Sequence, residues 1–256
     1  MTGCLAVWRK ELTVYFATPI FYLTGFFFLL LAGYFFYSNI AYYTILSFQA
    51  GQNPYLEGML TPLQMVYRPF FSNLAVLFLF IVPLFTMRLF AEEKRSGTME
   101  LLFTFPLSDW GIISGKFLAA LALYALLLAV TGLYSAALAA IIAVDWSAIV
   151  VGYLGLLLLG GAFLALGMFS SSLTENQIIA AVIAFGLLLL FWVIGWYEEL
   201  GPSGYQGFFK HISMMGHFEA FSRGVLDTRD VLYYLSFIFF FLFLTKRQLE
   251  SRQWRG

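Results

Sequence analysis

Six stretches of this chain contain no Asp, Glu, Lys or Arg: Pro19 to Tyr43, Phe70 to Met87, Phe117 to Val144, Ile149 to Phe169, Ile178 to Tyr197 and Val231 to Thr245. A helix needs about 20 apolar residues to cross the hydrocarbon of a bilayer, and within lipid every backbone polar group must be satisfied inside its own segment. Six such runs therefore predict an all-α polytopic membrane protein with six transmembrane helices. The last run is short as bounded by charge, which predicts that Arg229, Asp230 and Lys246 lie near the interfaces. Asp145 and Trp146 separate the third run from the fourth and predict a tight hairpin there.

Composition supports the same class. The chain is 61% hydrophobic and 11% charged, whereas soluble domains are about 25% charged. Residues 1–256 read as one transmembrane domain, with no room for a separate soluble catalytic unit. A formal net charge of zero gives no electrostatic reason to expect nucleic acid. A single cysteine, Cys4, excludes an internal disulfide.

Between the second and third runs lies a charged segment, residues 88–116. Ala91 to Arg95 (AEEKR) is too polar for a bilayer, and Ser96, Gly97 and Thr98 supply turn and N-cap chemistry for a following helix. Glu100 falls in the first turn of that helix, at the positive end of its dipole. Leu101, Leu102 and Phe105 give it an apolar face, Pro106 stops it, and Ser108 and Asp109 open the next span. A solvated loop with two caps would look similar, but would not need the apolar face.

Basic residues set the orientation, because Lys and Arg are retained on the cytoplasmic side. Six spans put Arg9, Lys10, Arg88, Lys94, Arg95, Lys116, Lys246, Arg247, Arg252 and Arg255 at one end, and Arg68, Lys210, Arg223 and Arg229 at the other. Both termini and the 88–116 segment are thus expected in the cytoplasm, where ATP is available.

Two further segments are amphipathic. Residues 1–18 mix Arg9, Lys10 and Glu11 with Leu5, Trp8, Leu12, Tyr15 and Phe16 at helical spacing, predicting an interfacial helix. No small-residue cleavage pattern follows it, so a removed signal peptide is not expected. Residues 198–230 interleave Phe208, Phe209, Ile212, Met214, Met215, Phe218 and Phe221 with glycines. That is too apolar for a free loop and predicts short extracytoplasmic re-entrant helices, or else a small surface cap.

Other motifs carry less. Gly111 to Phe117 (GIISGKF) has its glycines one residue too close for a P-loop, and Phe117 stands where Ser or Thr must ligate magnesium. No ATP is expected to bind this chain. His211 and His217, six apart, lack a carboxylate at the spacing of a zinc-binding helix, and read as interfacial histidines. Glu175 is either a first-turn carboxylate of the fifth span or a cytoplasmic contact to another subunit. The first span carries an aromatic load including Phe26 and Tyr34, placed either to line a conduit or in the lipid-facing belt.

The run RLFAEEKRSGTMELLFTFPLSDWGIISGKFLA, with Ser170 to Phe185 and Phe221 to Ser236, resembles the ABC-2 type permeases of ATP-binding-cassette exporters, and most the subgroup associated with gliding motility. The resemblance covers essentially the whole chain. It implies that residues 88–116 contain a coupling helix, with Glu92, Gly97, Thr98, Glu100, Leu101, Leu102, Phe105 and Pro106 as the ATPase-coupling residues. It also implies that two short extracytoplasmic helices close the outer side of a pathway, for which Phe26, Tyr34, Phe208, Phe209 and Phe218 are candidate pathway or gate residues. The partners implied are two ABC ATPase subunits holding ATP and Mg, and a second permease copy or a homologue, in a bacterial inner membrane.

The six runs carry no ionisable residue of the kind that an ion-coupled transporter or an intramembrane metalloenzyme needs near mid-membrane. Energy must then arrive from outside the bilayer. Two functions fit: an exporter-like permease that alternates access to a pathway, or a transmission or scaffold subunit that drives an extracytoplasmic or gliding-type machine, through a protein partner, without moving a solute.

Overall fold

The computed structural model describes residues 2–50, 61–99, 108–200 and 211–253. Among them every regular element is helical, and six helical runs are long and apolar enough to cross a membrane. Helix α1 (Thr2–Ala17) is followed by α2 (Pro19–Ala50), the first span. The second span runs through a turn of π-helix (Leu63–Tyr67), α3 (Arg68–Thr86) and α4 (Arg88–Arg95). The remaining spans are α5 (Asp109–Ala139), α6 (Trp146–Leu173), α7 (Gln177–Leu200) and α9 (Thr228–Gln253), with the short α8 (Met214–Ser222) between the last two. The predicted fold class, a six-span all-α membrane protein, is the one observed.

Most helices extend past the charge-bounded limits of their apolar runs. The reason is physical: a helix satisfies its own backbone, so it need not end where the hydrocarbon does, and its charged turns continue into the interface. The connection between α5 and α6 behaves differently. Ile141 to Val144 are apolar yet leave the helix, and Asp145 caps α6 by accepting hydrogen bonds from the Ser147 and Ala148 amides at 3.0 and 3.4 Å. The fifth span is capped by Asn176, whose Oδ1 accepts from the Ile178 amide at 2.9 Å. This corrects the reading of Glu175 as a first-turn residue of that span, since α7 begins only at Gln177.

Helix α6 is the hub, packed against α3, α4, α5, α7, α8 and α9. Its glycines permit this. A Cβ at Gly160 would lie 2.0 Å from Tyr124 Cζ, and one at Gly167 would lie 2.3 Å from Thr86 Oγ1. Small residues let backbones approach where lipid offers no hydrophobic drive for helices to associate. Tyr124, fully buried on α5, fills the space and donates to the Leu156 carbonyl at 2.6 Å. At about 1.5 Å per residue, the 28 residues of α6 span about 42 Å and so separate two chemically different ends.

Candidate functional site

The second span leads through α4 toward residues 96–109, where the resemblance implies a coupling helix, and α4 is held in place by contacts from three other helices. Pro83 removes one backbone donor within α3, and Met87 forms a turn before α4 starts. Across that break, Ser171 of α6 does the work of a cap from a distant part of the chain. Its Oγ accepts from the Phe90 and Ala91 amides at 3.0 and 3.1 Å and donates to the Met87 carbonyl at 2.9 Å. Lys94 donates to the Ser172 carbonyl. The SSS triplet at the end of α6 therefore clamps α4.

On its other side α4 meets α1 and α5 through a cluster of four charges. Lys116, on α5, is only 1% exposed, and its ammonium has three N–H donors. All three are used: Glu11 Oε1 at 2.8 Å, Glu93 Oε1 at 2.9 Å and the Leu89 carbonyl at 2.8 Å. Lys10 reaches Glu93 at 2.8 Å and Glu11 at 3.6 Å, completing a neutral set of two lysines and two glutamates. Burial works to lower the Lys10 pKa, but the hydrogen bond and charge of Glu93, with those of Glu11, outweigh it and hold the ammonium above its ordinary range.

Around this cluster α1 is pinned at several further points. Tyr15 donates to the Phe85 carbonyl at 2.8 Å, and burial pushes its phenol far above the ordinary range. Arg88 donates to Thr18 Oγ1 at 2.8 Å and lies over the Tyr15 ring. At the start of α5, Cys4 Sγ lies 3.4 Å from Ser114 Oγ, and a Cβ on Gly115 would meet the Cys4 carbonyl at 2.9 Å.

The buried face of α1 is thus the Val7, Glu11 and Tyr15 stripe, while Leu5 and Phe16 are exposed. Of the apolar residues expected on this helix, Tyr15 is buried, Trp8 and Leu12 are half-buried, and Leu5 and Phe16 are exposed. Glu11 is buried among them because Lys116 offers it a partner at 2.8 Å.

Of the coupling residues named from sequence, Glu92 is half-exposed and pairs with Arg88 at 3.6 Å. Gly97 ends α4 with a φ of +70°, a conformation that disfavours any side chain. Thr98 Oγ1 hydrogen-bonds Ser96 Oγ at 2.8 Å. Glu100, Leu101, Leu102, Phe105 and Pro106 lie outside the described residues, as do Phe208 and Phe209 of the candidate gate. Phe26 and Tyr34 are 61% and 62% exposed on the outer face of α2, whereas Phe218 is buried between helices, 1% exposed. The structure does not bring these three together.

Sequence reasoning missed Lys10, Glu11, Glu93, Lys116 and Ser171 as a unit. A lysine two turns into a long apolar helix was the available signal, since such a charge must find a partner.

At the opposite end, α8 carries the second polar group. His217 Nδ1 lies 2.6 Å from Asp230 Oδ1, and its ring stacks on Tyr233 with centroids 4.0 Å apart. Local spacing showed no carboxylate for this histidine, because the partner comes from the head of α9. Glu219 pairs with both Arg68 and Arg223 at 2.5 Å.

These features define a multi-pass helical membrane protein with a braced, charge-clustered end. Residues 5–197 match the family model of ABC-2 family transporter proteins, and the chain belongs to that family. Its members are membrane subunits that associate with ABC ATPases and are not themselves catalytic. A search of curated proteins found no match.

Proposed function

We propose that this chain is the exporter-like permease subunit of an ABC-2 transporter. Two such subunits, identical or homologous, sit over two separate ATPase subunits in a bacterial inner membrane, with both termini cytoplasmic. The observation that carries this reading is the bracing of α4. The helix leading into the 96–109 segment is held to α1 and α5 by the Lys10, Glu11, Glu93 and Lys116 cluster and to α6 by Ser171. A push delivered to that segment would therefore move several spans as one body instead of bending a loop.

In this reading Leu101, Leu102 and Phe105 dock into a groove of the ATPase, flanked by Thr98 and Glu100, with Gly97 and Pro106 setting the turn at either end. Glu92 lies beside that surface. ATP and Mg stay on the partner. Buried apolar anchors dominate such interfaces. Leu102→Asp or Phe105→Asp would strand a charge in a desolvated pocket, and at about 1.4 kcal/mol per tenfold, ATPase co-purification should fall at least tenfold while membrane insertion persists. Glu100→Ala should act more mildly, since a first-turn carboxylate contributes about 0.3 to 1 kcal/mol. Full ATPase binding and coupled activity in both Asp variants would reduce the segment to a loop.

The gliding-type alternative keeps the same coupling and differs only in what is driven. Reconstituted ATPase activity that responds to a solute supports the permease. Dependence on an extracytoplasmic protein, without flux, supports the alternative. The orientation is tested by cysteine labelling in spheroplasts: a thiol near Glu57 or Ser203 should react with an impermeant reagent and one near Ser96 should not.

A further inference from the structure

Four hydroxyl groups meet inside the bundle, near the end of α5 opposite Lys116, and one of them is left without a partner. Thr131 and Ser135 stand one turn apart on the same face of α5, both buried. Tyr153 of α6 reaches both, its hydroxyl 3.4 Å from Thr131 Oγ1 and 3.3 Å from Ser135 Oγ. Tyr67, which ends the π-helical turn at the head of the second span, is 1% exposed and brings its hydroxyl beside Ser135. Among the described residues no atom completes a hydrogen bond to it.

An O–H···O bond is best at about 2.7 to 2.8 Å, so both contacts of the Tyr153 hydroxyl are stretched. Thr131 commits its single proton to the Leu128 carbonyl at 2.7 Å. The protons of Ser135, Tyr67 and Tyr153 are therefore poorly used, in a place where a buried hydroxyl without a partner is destabilising. Other buried tyrosines differ: Tyr15, Tyr124 and Tyr234 donate to carbonyls at 2.8, 2.6 and 2.6 Å. A water molecule has the donors and acceptors that this cluster lacks, and buried waters ordinarily make about three hydrogen bonds to such groups. Tyr67 is also a wall of a cavity of about 420 Å³ that opens among Thr61, Gln64, Val144 and Asp145, which gives water an approach. Turns of π-helix within longer helices are frequent at functional sites.

We propose that Tyr67, Ser135 and Tyr153 form a binding site for one ordered water, which ties the second, third and fourth spans together near their ends. The site depends on neither the coupling segment nor the permease reading.

Radiolytic labelling of the full chain in lipid nanodiscs tests it. An X-ray pulse converts water to hydroxyl radicals where it stands, and these modify a buried side chain only where water is bound beside it. Tyr67 should be modified severalfold faster than Tyr124 and Tyr234, which are as deeply buried and bonded to carbonyls. Ser135→Val fills the site with methyl groups and should bring Tyr67 down to the rate of those two. Tyr67→Phe should lower the melting temperature by about 2 to 4 °C, the shift expected for one net hydrogen bond in a chain of this size. A wild-type Tyr67 rate no faster than the other two overturns the site. Fast labelling that survives Ser135→Val does so as well, since it would come from the cavity alone. A Tyr67→Phe protein that melts unchanged or higher also overturns it, because the hydroxyl would then have had no partner to lose. None of these outcomes bears on Leu102→Asp, and loss of coupling in that variant leaves the water site standing.

Discussion

Lys116→Met should detach α1 from the bundle. The substitution preserves the apolar stem and removes the ammonium, so Glu11 loses its 2.8 Å partner and Glu93 loses one of two. Lys10 still reaches Glu93 at 2.8 Å but stands 3.6 Å from Glu11, so Glu11 is the carboxylate left buried without close compensation. Breaking a buried pair in this way costs about 3 to 5 kcal/mol. Glu11→Gln combined with Lys116→Met should recover most of the loss, since a buried pair replaced on both sides is often neutral.

Docking can be read directly. Cys4 Sγ lies 3.4 Å from Ser114 Oγ, so oxidation of a Ser114→Cys protein should join residues 4 and 114, detected as loss of alkylatable thiols. Adding Lys116→Met should lower the cross-linking yield severalfold at pH 7, and the Glu11→Gln double replacement should restore it. Equal yields in all three backgrounds would show that the cluster does not hold α1, and the bracing argument would fall with it.

Three further outcomes are expected. Ser171→Ala leaves the Phe90 and Ala91 amides without their acceptor, at about 1 to 3 kcal/mol per buried group, so hydrogen exchange at the start of α4 should accelerate while α6 stays protected. Gly160→Ala sets a methyl 2.0 Å from Tyr124 Cζ in a filled core, and the overpacking of about 1 to 3 kcal/mol should lower the melting temperature in detergent; an unchanged melt would contradict the packing of α6 on α5. The Ser147 hydroxyl, together with the Ala148 and Ser147 amides, holds the Asp145 carboxyl below its ordinary range. Its capping contribution is therefore present above the usual aspartate pKa of about 3.9 and is lost as pH falls through the lowered value. Exchange of the first α6 amides should rise in that acid range in wild type and should not change there in Asp145→Ala.

The sequence by itself determined the class and the number of spans, because the lack of water in hydrocarbon imposes a rule that each apolar run must obey alone. Ser108 was similarly local, since the cap it forms depends on an amide three positions away. What needed the tertiary structure was every relation between residues far apart in the chain. Glu11 looked like part of a polar surface until Lys116, 105 residues later, gave it a buried partner. Ser171 looked like one of three small polar residues ending a span until the break at Met87 brought it two amides to cap. His217 seemed to lack a carboxylate until the fold delivered Asp230. For Glu11 and Ser171, a side chain whose local pattern allowed two environments took the buried one because a distant group made that burial affordable. The packing of one helix on another decides which distant group arrives.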